Sequence, residues 1–396
     1  MHVETQSSPT TGFMDPLASA DAQLSIGFYT NLISWPKRSS GGVRQWVLTM
    51  ANALAARGHQ VDLLCETPAW KFVDEPLLDP RVNRIILGIG FLARMRLWRY
   101  VQNHPGVRIV SALNHYNLEA ARLKARFGSR VHVTLTQREN LSADAEWRRP
   151  HKYRALKSAV QTHFNRADAV VTVSNGLAKD LHDNFGVRPD KLHTIYNPAY
   201  RPDFVTAATE SVDHPWFGRK NKPVIIAAGR LHSVKGFADL LRAFKHVRNQ
   251  CDARLIILGE GKERHNLEHL VQELELSGSV QLPGRVPSTA PWFARSDLFV
   301  LSSRREGLPA VLIEALAVGM RVVATDCPSG PHEILEGGRW GRLVAVGNVE
   351  ALAQAIIDAL REASHNREAS QARAAEFSLT RALQAYLQLW HSPPSP

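Results

Sequence analysis

The feature that most restricts this chain is an alternation of strand-like and helix-like segments that runs twice. Short apolar, β-rich stretches fall at Leu24–Tyr29, Gln60–Cys65, Val107–Ala112, Val131–Leu135 and Ala169–Val173, with helical segments such as Val43–Arg57 and Asn175–Phe185 between them. Strands that are apolar throughout need cover on both faces, and the intervening helices can supply it. The pattern restarts at Pro223, with strands expected at 223–228, 254–258, 279–282, 297–301 and 321–325. The fold class that follows is α/β, with two Rossmann-like doubly wound domains. A chain of 396 residues is long enough for two cores. Proline and polar residues at Tyr196–Asp203 and Asp213–Phe217 mark the boundary, giving an N-terminal domain over 23–200, a linker over 201–218 and a C-terminal domain over 219–376. Residues 1–22 are polar and read as a disordered leader.

Within the second run, Glu306 and Glu314 stand eight positions apart in Ser302-Ser-Arg-Arg-Glu-Gly-Leu-Pro-Ala-Val-Leu-Ile-Glu314. A strand leads into the first acid, and Gly307-Leu308-Pro309 turns the chain into an apolar helix over 310–318, with Pro309 suited to its first position. The free N–H groups of such a first turn attract anions. Carboxylates only accept hydrogen bonds, so two of them beside an anion site fit a ligand that also carries hydroxyls. A strand-turn-helix with two solvated acids accounts for the motif equally well. A second cluster favours a site. Pro223–Gly229 reads as a strand, and Arg230 and Lys235 flank the loop that follows, before a helix over 238–248. An arginine fork and a lysine point charge at one strand end suit a diphosphate whose charge grows as its bond to a sugar breaks.

These residues resemble retaining glycosyltransferase family 4, which has the two-domain B-type glycosyltransferase fold. The resemblance is carried by Gly229-Arg230-Leu231 with Lys235-Gly236, Leu258-Gly-Glu-Gly261, Leu282-Pro-Gly-Arg-Val286, the Glu306…Glu314 run and Ala324-Thr-Asp-Cys-Pro-Ser-Gly-Pro-His-Glu-Ile-Leu335. It is dense over 214–360 and thinner over 24–200. It implies a nucleoside-diphosphate sugar as co-substrate, with Arg230 and Lys235 on the diphosphate. Glu306, with backbone N–H groups of Gly307 and Leu308, would contact the sugar hydroxyls, and Glu314 the ribose. Gly284, Arg285 and Val286 would frame the base. In the N-terminal, acceptor-binding half, Gly41 and Gly42 match the glycine loop, and His115 the histidine that faces the donor sugar. Gln137, Arg138, Glu139, Asn140 and Trp147 are acceptor-side candidates. The resemblance also implies a last helix, 377–392, that packs back on the N-terminal domain. It further implies transfer with retention to a glycan or lipid-linked saccharide, in polysaccharide or glycolipid synthesis. UDP is the favoured nucleotide, and a hexose or N-acetylhexosamine the favoured sugar. With no DxD-type motif suitably placed, neither a metal nor any other cofactor is expected.

Other functions are weighed by the same test. A nicotinamide-dependent dehydrogenase needs G-x-G-x-x-G after the first strand, and Gly27-Phe-Tyr-Thr-Asn-Leu lacks it. No P-loop is present. A non-catalytic sugar-nucleotide or polyanion-binding protein and a hydrolysing epimerase of the same fold stay open. The three cysteines, Cys65, Cys251 and Cys327, are scattered and odd in number, which argues for a reducing compartment. No stretch reaches the ~18 apolar residues of a membrane span, and the polar start lacks a signal-peptide core. The expected place is the cytoplasm. The net charge of +11 is concentrated in the N-terminal half, at Arg94, Arg96, Arg99, Arg122, Lys124, Arg126, Arg130, Arg148, Arg149, Lys152, Arg154 and Lys157, with Phe91, Leu92, Trp98, Tyr100 and Trp147 nearby. No nucleic-acid motif accompanies these residues, and peripheral contact with the anionic inner face of the cell membrane is the expected use. A solvated basic face is the plainer alternative.

Overall fold

The computed structural model describes residues 23–30, 42–67, 78–143, 150–218 and 222–391. The polar leader, Gly41, Trp147, Arg148 and Arg149 lie outside these ranges. In the N-terminal half, strands β1 (Ser25–Thr30), β2 (Gln60–Cys65), β3 (Asn83–Ile86), β4 (Val107–Ala112), β5 (Val131–Gln137), β6 (Ala169–Thr172) and β7 (Leu192–Thr194) form one sheet in the order β3-β2-β1-β4-β5-β6-β7. In the C-terminal half, β8 (Val224–Ala228), β9 (Arg254–Leu258), β10 (Val280–Gly284), β11 (Leu298–Leu301), β12 (Arg321–Thr325) and β13 (Arg342–Val344) form a second, ordered β10-β9-β8-β11-β12-β13. Every pairing is parallel. The strand order reverses between β1 and β4 in one sheet and between β8 and β11 in the other. Such reversals open a crevice at the carboxyl ends of the strands.

Alternation along each strand divides the side chains between two cores per sheet. Phe28, Leu63, Val110 and Val171 face one side of the first sheet, while Tyr29, Leu64, Ile109 and Val170 face the other. In the second sheet, Ile226, Ile256 and Phe299 oppose Ile225, Ile257 and Val300. The proline-rich stretch after β7 is folded rather than a loose linker. Pro202 and Pro215 begin the short helices Pro202–Ala207 and Pro215–Gly218, as a residue without an N–H readily does. These helices bury Phe204 and Trp216 in the C-terminal core, with the Phe204 ring 6.3 Å from Phe293.

The last helix, Leu379–His391, returns to the N-terminal domain. Its Tyr386, Leu387 and Trp390 pack against Ile26, Phe28 and Trp46, and the Trp390 indole N–H donates to Thr134 Oγ1 at 3.1 Å. The chain thus crosses between domains twice, and the crossings are paired. The N–H groups of Ala199 and Tyr200 both donate to Phe377 O, at 3.1 and 3.0 Å. The basic N-terminal surface also needs correcting in one detail. Tyr100 is buried and donates to Asp62 Oδ2 at 2.6 Å, so it is a core residue and no surface aromatic. Trp98 is half-buried beneath the Arg126 guanidinium, 4.2 Å from the ring centre.

Candidate functional site

Two loops meet at the crevice of the C-terminal sheet. One follows β8 and carries Arg230 and Lys235, and the other follows β11 and carries Glu306. They are zipped together by Ser302 Oγ donating to Lys235 O (2.9 Å) and Arg304 N donating to Val234 O (2.8 Å). Gly236 makes this approach possible. Its φ is +64°, and a Cβ there would fall 2.0 Å from Ser302 O. The zipped loops set Lys235 Nζ 2.6 Å from Glu306 Oε1, with the two side chains 24% and 10% exposed. Ser303 Oγ donates to that same oxygen, also at 2.6 Å. Both protein donors therefore fall on Oε1, and Oε2 keeps its accepting capacity for a ligand. Ser329 Oγ supports the turn from behind through Glu306 O, at 3.0 Å. Burial, and then the Glu306 carboxylate, push the Cys327 thiol up to about 12, so it stays neutral.

The remaining donor-side candidates group around this pair. Arg230 is exposed and has no ion-pair partner among the described residues. Glu314 lies in the Ala310–Ala317 helix, whose preceding Pro309 is the cap residue rather than the first helical one. Burial lifts Glu314 above the usual carboxylate range, against the pull of Arg201 and a hydrogen bond with Thr289. Thr289 follows the loop that begins at Gly284, Arg285 and Val286. Gly284 has φ +93°, and a side chain there would meet Glu260 Oε1 at 2.8 Å. Arg285 is exposed, and Val286 packs against the C-terminal core. Leu308 is buried with Val173 and Leu177 of the N-terminal domain, so only its backbone can face a ligand.

The N-terminal domain closes onto these loops. A Cβ on Gly307 would lie 2.1 Å from Arg138 O, and one on Gly176 would lie 2.8 Å from Pro328 O. Arg305 Nη1 donates to Ala143 O at 3.0 Å. The Glu333 carboxylate accepts from Asn175 N (2.7 Å) and Gly176 N (2.8 Å), the first turn of the Asn175–Phe185 helix. Gly42 opens the Gly42–Ala56 helix and is exposed.

His115 stands elsewhere. It begins the Asn114–Phe127 helix, lies 4.0 Å from the Tyr116 ring and makes no hydrogen bond to Glu306 or Lys235. Burial lowers its pKa, while Glu66 raises it. With Arg138 and Glu139 it lines a 390 Å³ cavity whose described wall residues all belong to the N-terminal domain. Asn140 is not on that wall. Its Oδ1 accepts from Ala143 N at 2.8 Å, and the residue lines a separate 840 Å³ cavity between the domains. Gln137, another acceptor-side candidate, is buried at the end of β5 on the smaller cavity, and sequence reasoning missed Ser303, Ser329 and Glu333. Among the described residues, no three His, Cys, Asp or Glu side chains are grouped to hold a metal ion.

The chain is similar to known proteins. Residues 212–376 match the family described as glycosyl transferases group 1, and residues 40–199 match glycosyltransferase family 4. The chain is 32% identical over 223 residues to N-acetylgalactosamine-N,N'-diacetylbacillosaminyl-diphospho-undecaprenol 4-alpha-N-acetylgalactosaminyltransferase of Campylobacter jejuni, a match covering 55% of this chain and 59% of that protein. It is 31% identical over 237 residues to the lipopolysaccharide core biosynthesis glycosyltransferase LpsE of Rhizobium meliloti, covering 59% of this chain and 67% of that one. Among solved structures, HepE of Anabaena in complex with UDP superposes with a TM-score of 0.72 at 19% identity, over 92% of this chain and 99% of that one.

Proposed function

Because the chain belongs to the group 1 and family 4 glycosyltransferases, with the two-domain B-type fold, we propose that it moves a hexose or N-acetylhexosamine from a nucleoside-diphosphate sugar to a glycan or lipid-linked saccharide, with retention of configuration. UDP is the nucleotide favoured. The observation that carries this reading is the Lys235–Glu306 pair at the sheet crevice, with Oε2 of Glu306 left open. A carboxylate so held accepts from sugar hydroxyls, while Arg230 and the two remaining N–H groups of Lys235 receive the diphosphate. Charge accumulates on that diphosphate as the glycosidic bond breaks, and preplaced cations stabilise it. The acceptor hydroxyl then attacks from the face the diphosphate leaves. Packing of Arg138 and Gly176 onto the donor loops excludes the water that would compete with it. Metal independence is part of the proposal, since the two cations occupy the role a metal would take.

The Campylobacter relative is named for an acceptor carried on diphospho-undecaprenol, and a lipid-linked acceptor here would bring the protein to a membrane surface. No helix among the described residues is long and apolar enough to cross a membrane. Ile89, Phe91, Leu92 and Met95 are instead 61, 70, 63 and 44% exposed at the start of the Gly90–Asn103 helix, beside Arg94, Arg96 and Arg99. Apolar side chains flanked by cations suit peripheral attachment to an anionic inner leaflet.

Calorimetric titration with UDP, GDP and ADP, with and without magnesium, tests the donor reading. UDP is expected to bind without metal and to be lost in Arg230→Ala. Absence of binding by all three would overturn the donor site. Product analysis with donor alone and with acceptor separates transfer from hydrolysis.

A further inference from the structure

Arg138 is a half-buried cation with one guanidinium nitrogen, Nη1, sealed from solvent and without a hydrogen-bond partner. The guanidinium lies over the Trp46 ring, 4.5 Å from its centre, close to Tyr386 of the last helix, and no carboxylate pairs with it among the described residues. Burial pulls its pKa down only to about 10, so it is charged at neutral pH. A guanidinium donates and never accepts. Left sealed and unpaired it is destabilising, and a native structure that keeps such a group has a use for it.

The residue lines the 390 Å³ cavity, and its surroundings select the occupant. Gln137, 2% exposed, donates through Nε2 to Glu139 O at 2.7 Å, which fixes the amide so that Oε1 is the orphan. One unpaired donor group and one unpaired acceptor therefore belong to consecutive residues at the end of β5. Val43, Asn114 and His115 bring the first turns of the Gly42–Ala56 and Asn114–Phe127 helices to the same wall, where unpaired N–H groups favour negative charge. Glu139, the one acid among the described residues of the wall, is exposed. Among the described residues the wall is drawn from the N-terminal domain, and it meets the donor loop through Arg138 O, which packs on Gly307.

We propose that this cavity binds an anionic group of the acceptor, with Arg138 as its counter-ion and Gln137 Oε1 accepting from a neighbouring sugar hydroxyl. The inference rests on the transferase reading and adds that the acceptor is a charged saccharide. A phosphate on the reducing end and a carboxylate on an acidic sugar share this chemistry.

The test measures binding of glucose 1-phosphate, glucuronic acid and methyl glucoside, with UDP in excess so that the donor loops are filled. At least one charged probe should bind about tenfold tighter than the neutral one, the scale of a charge-assisted hydrogen bond. Which charged probe gains the preference identifies the anion. In Arg138→Met the preference should vanish while UDP affinity holds, and Arg138→Lys should keep part of it as a point charge. Arg138→Met should also melt at the same temperature or higher, because it removes an unpaired, half-buried charge. Equal binding of all three probes would overturn the proposal, as would a preference that survives Arg138→Met. A destabilised Arg138→Met protein that loses UDP binding as well would show a structural arginine instead. Failure of the wild-type protein to bind UDP would count against the transferase reading and leave the probe preference to be judged separately.

Discussion

At the scale of single residues, the site depends on which oxygen is already taken. Lys235 and Ser303 both occupy Glu306 Oε1. Glu306→Gln keeps the shape, but it removes the charge that positions Lys235 and weakens the acceptor offered to a sugar. Turnover is expected to fall by roughly two to three orders of magnitude. Wild-type rates in that variant would remove the carboxylate from the mechanism. Lys235→Ala should weaken UDP binding as well as turnover, and calorimetry reporting unchanged affinity would dissociate it from the diphosphate. The types and spacing of Lys235, Glu306 and Glu314 were legible in the sequence because each is set by a nearby strand end. Ser329 was not legible, since it meets Glu306 only after β12 brings a separate loop behind the turn. The burial of Arg138 was equally hidden, because Trp46 and Tyr386 lie far from it along the chain.

At the scale of elements, the central strands announced themselves and three of the four edge strands did not. The strands β1, β2, β4, β8, β9 and β12 are nearly all buried and read as apolar runs. The strands β3, β7 and β13 have three or four residues, half-exposed or more, so neither composition nor periodicity distinguishes them from loop. The last helix is the element with most at stake for stability. Trp390 is 2% exposed and hydrogen-bonded, and Trp390→Ala is expected to cost about 3–5 kcal/mol. Chemical denaturation monitored by circular dichroism would show it, and a loss below about 1 kcal/mol would mean that the helix docks weakly. The Gly90–Asn103 helix poses the opposite case, apolar residues left uncovered. Phe91→Glu with Leu92→Glu should release the protein from phosphatidylglycerol vesicles and leave UDP binding intact. Sedimentation with such vesicles that is unaffected by the pair of changes would leave a plain solvated face.

At the scale of the whole molecule, one carboxylate spans the two domains. Glu333 belongs to the C-terminal half, yet it satisfies the first N–H groups of the Asn175–Phe185 helix in the other half. Removing such a cap costs about 1 kcal/mol, so Glu333→Ala should shift closure toward open forms by roughly fivefold. X-ray scattering would register a larger radius of gyration, and superimposable profiles would show that other contacts hold the cleft. The return of the last helix has a consequence in time rather than in space. Ile26, Phe28 and Trp46 leave the ribosome long before the side chains that cover them, Tyr386 and Trp390, which are made only after the entire C-terminal domain. During synthesis the N-terminal domain must wait with one face bare while its neighbour folds first. A nascent chain stalled before residue 379 should therefore be the species that chaperones hold.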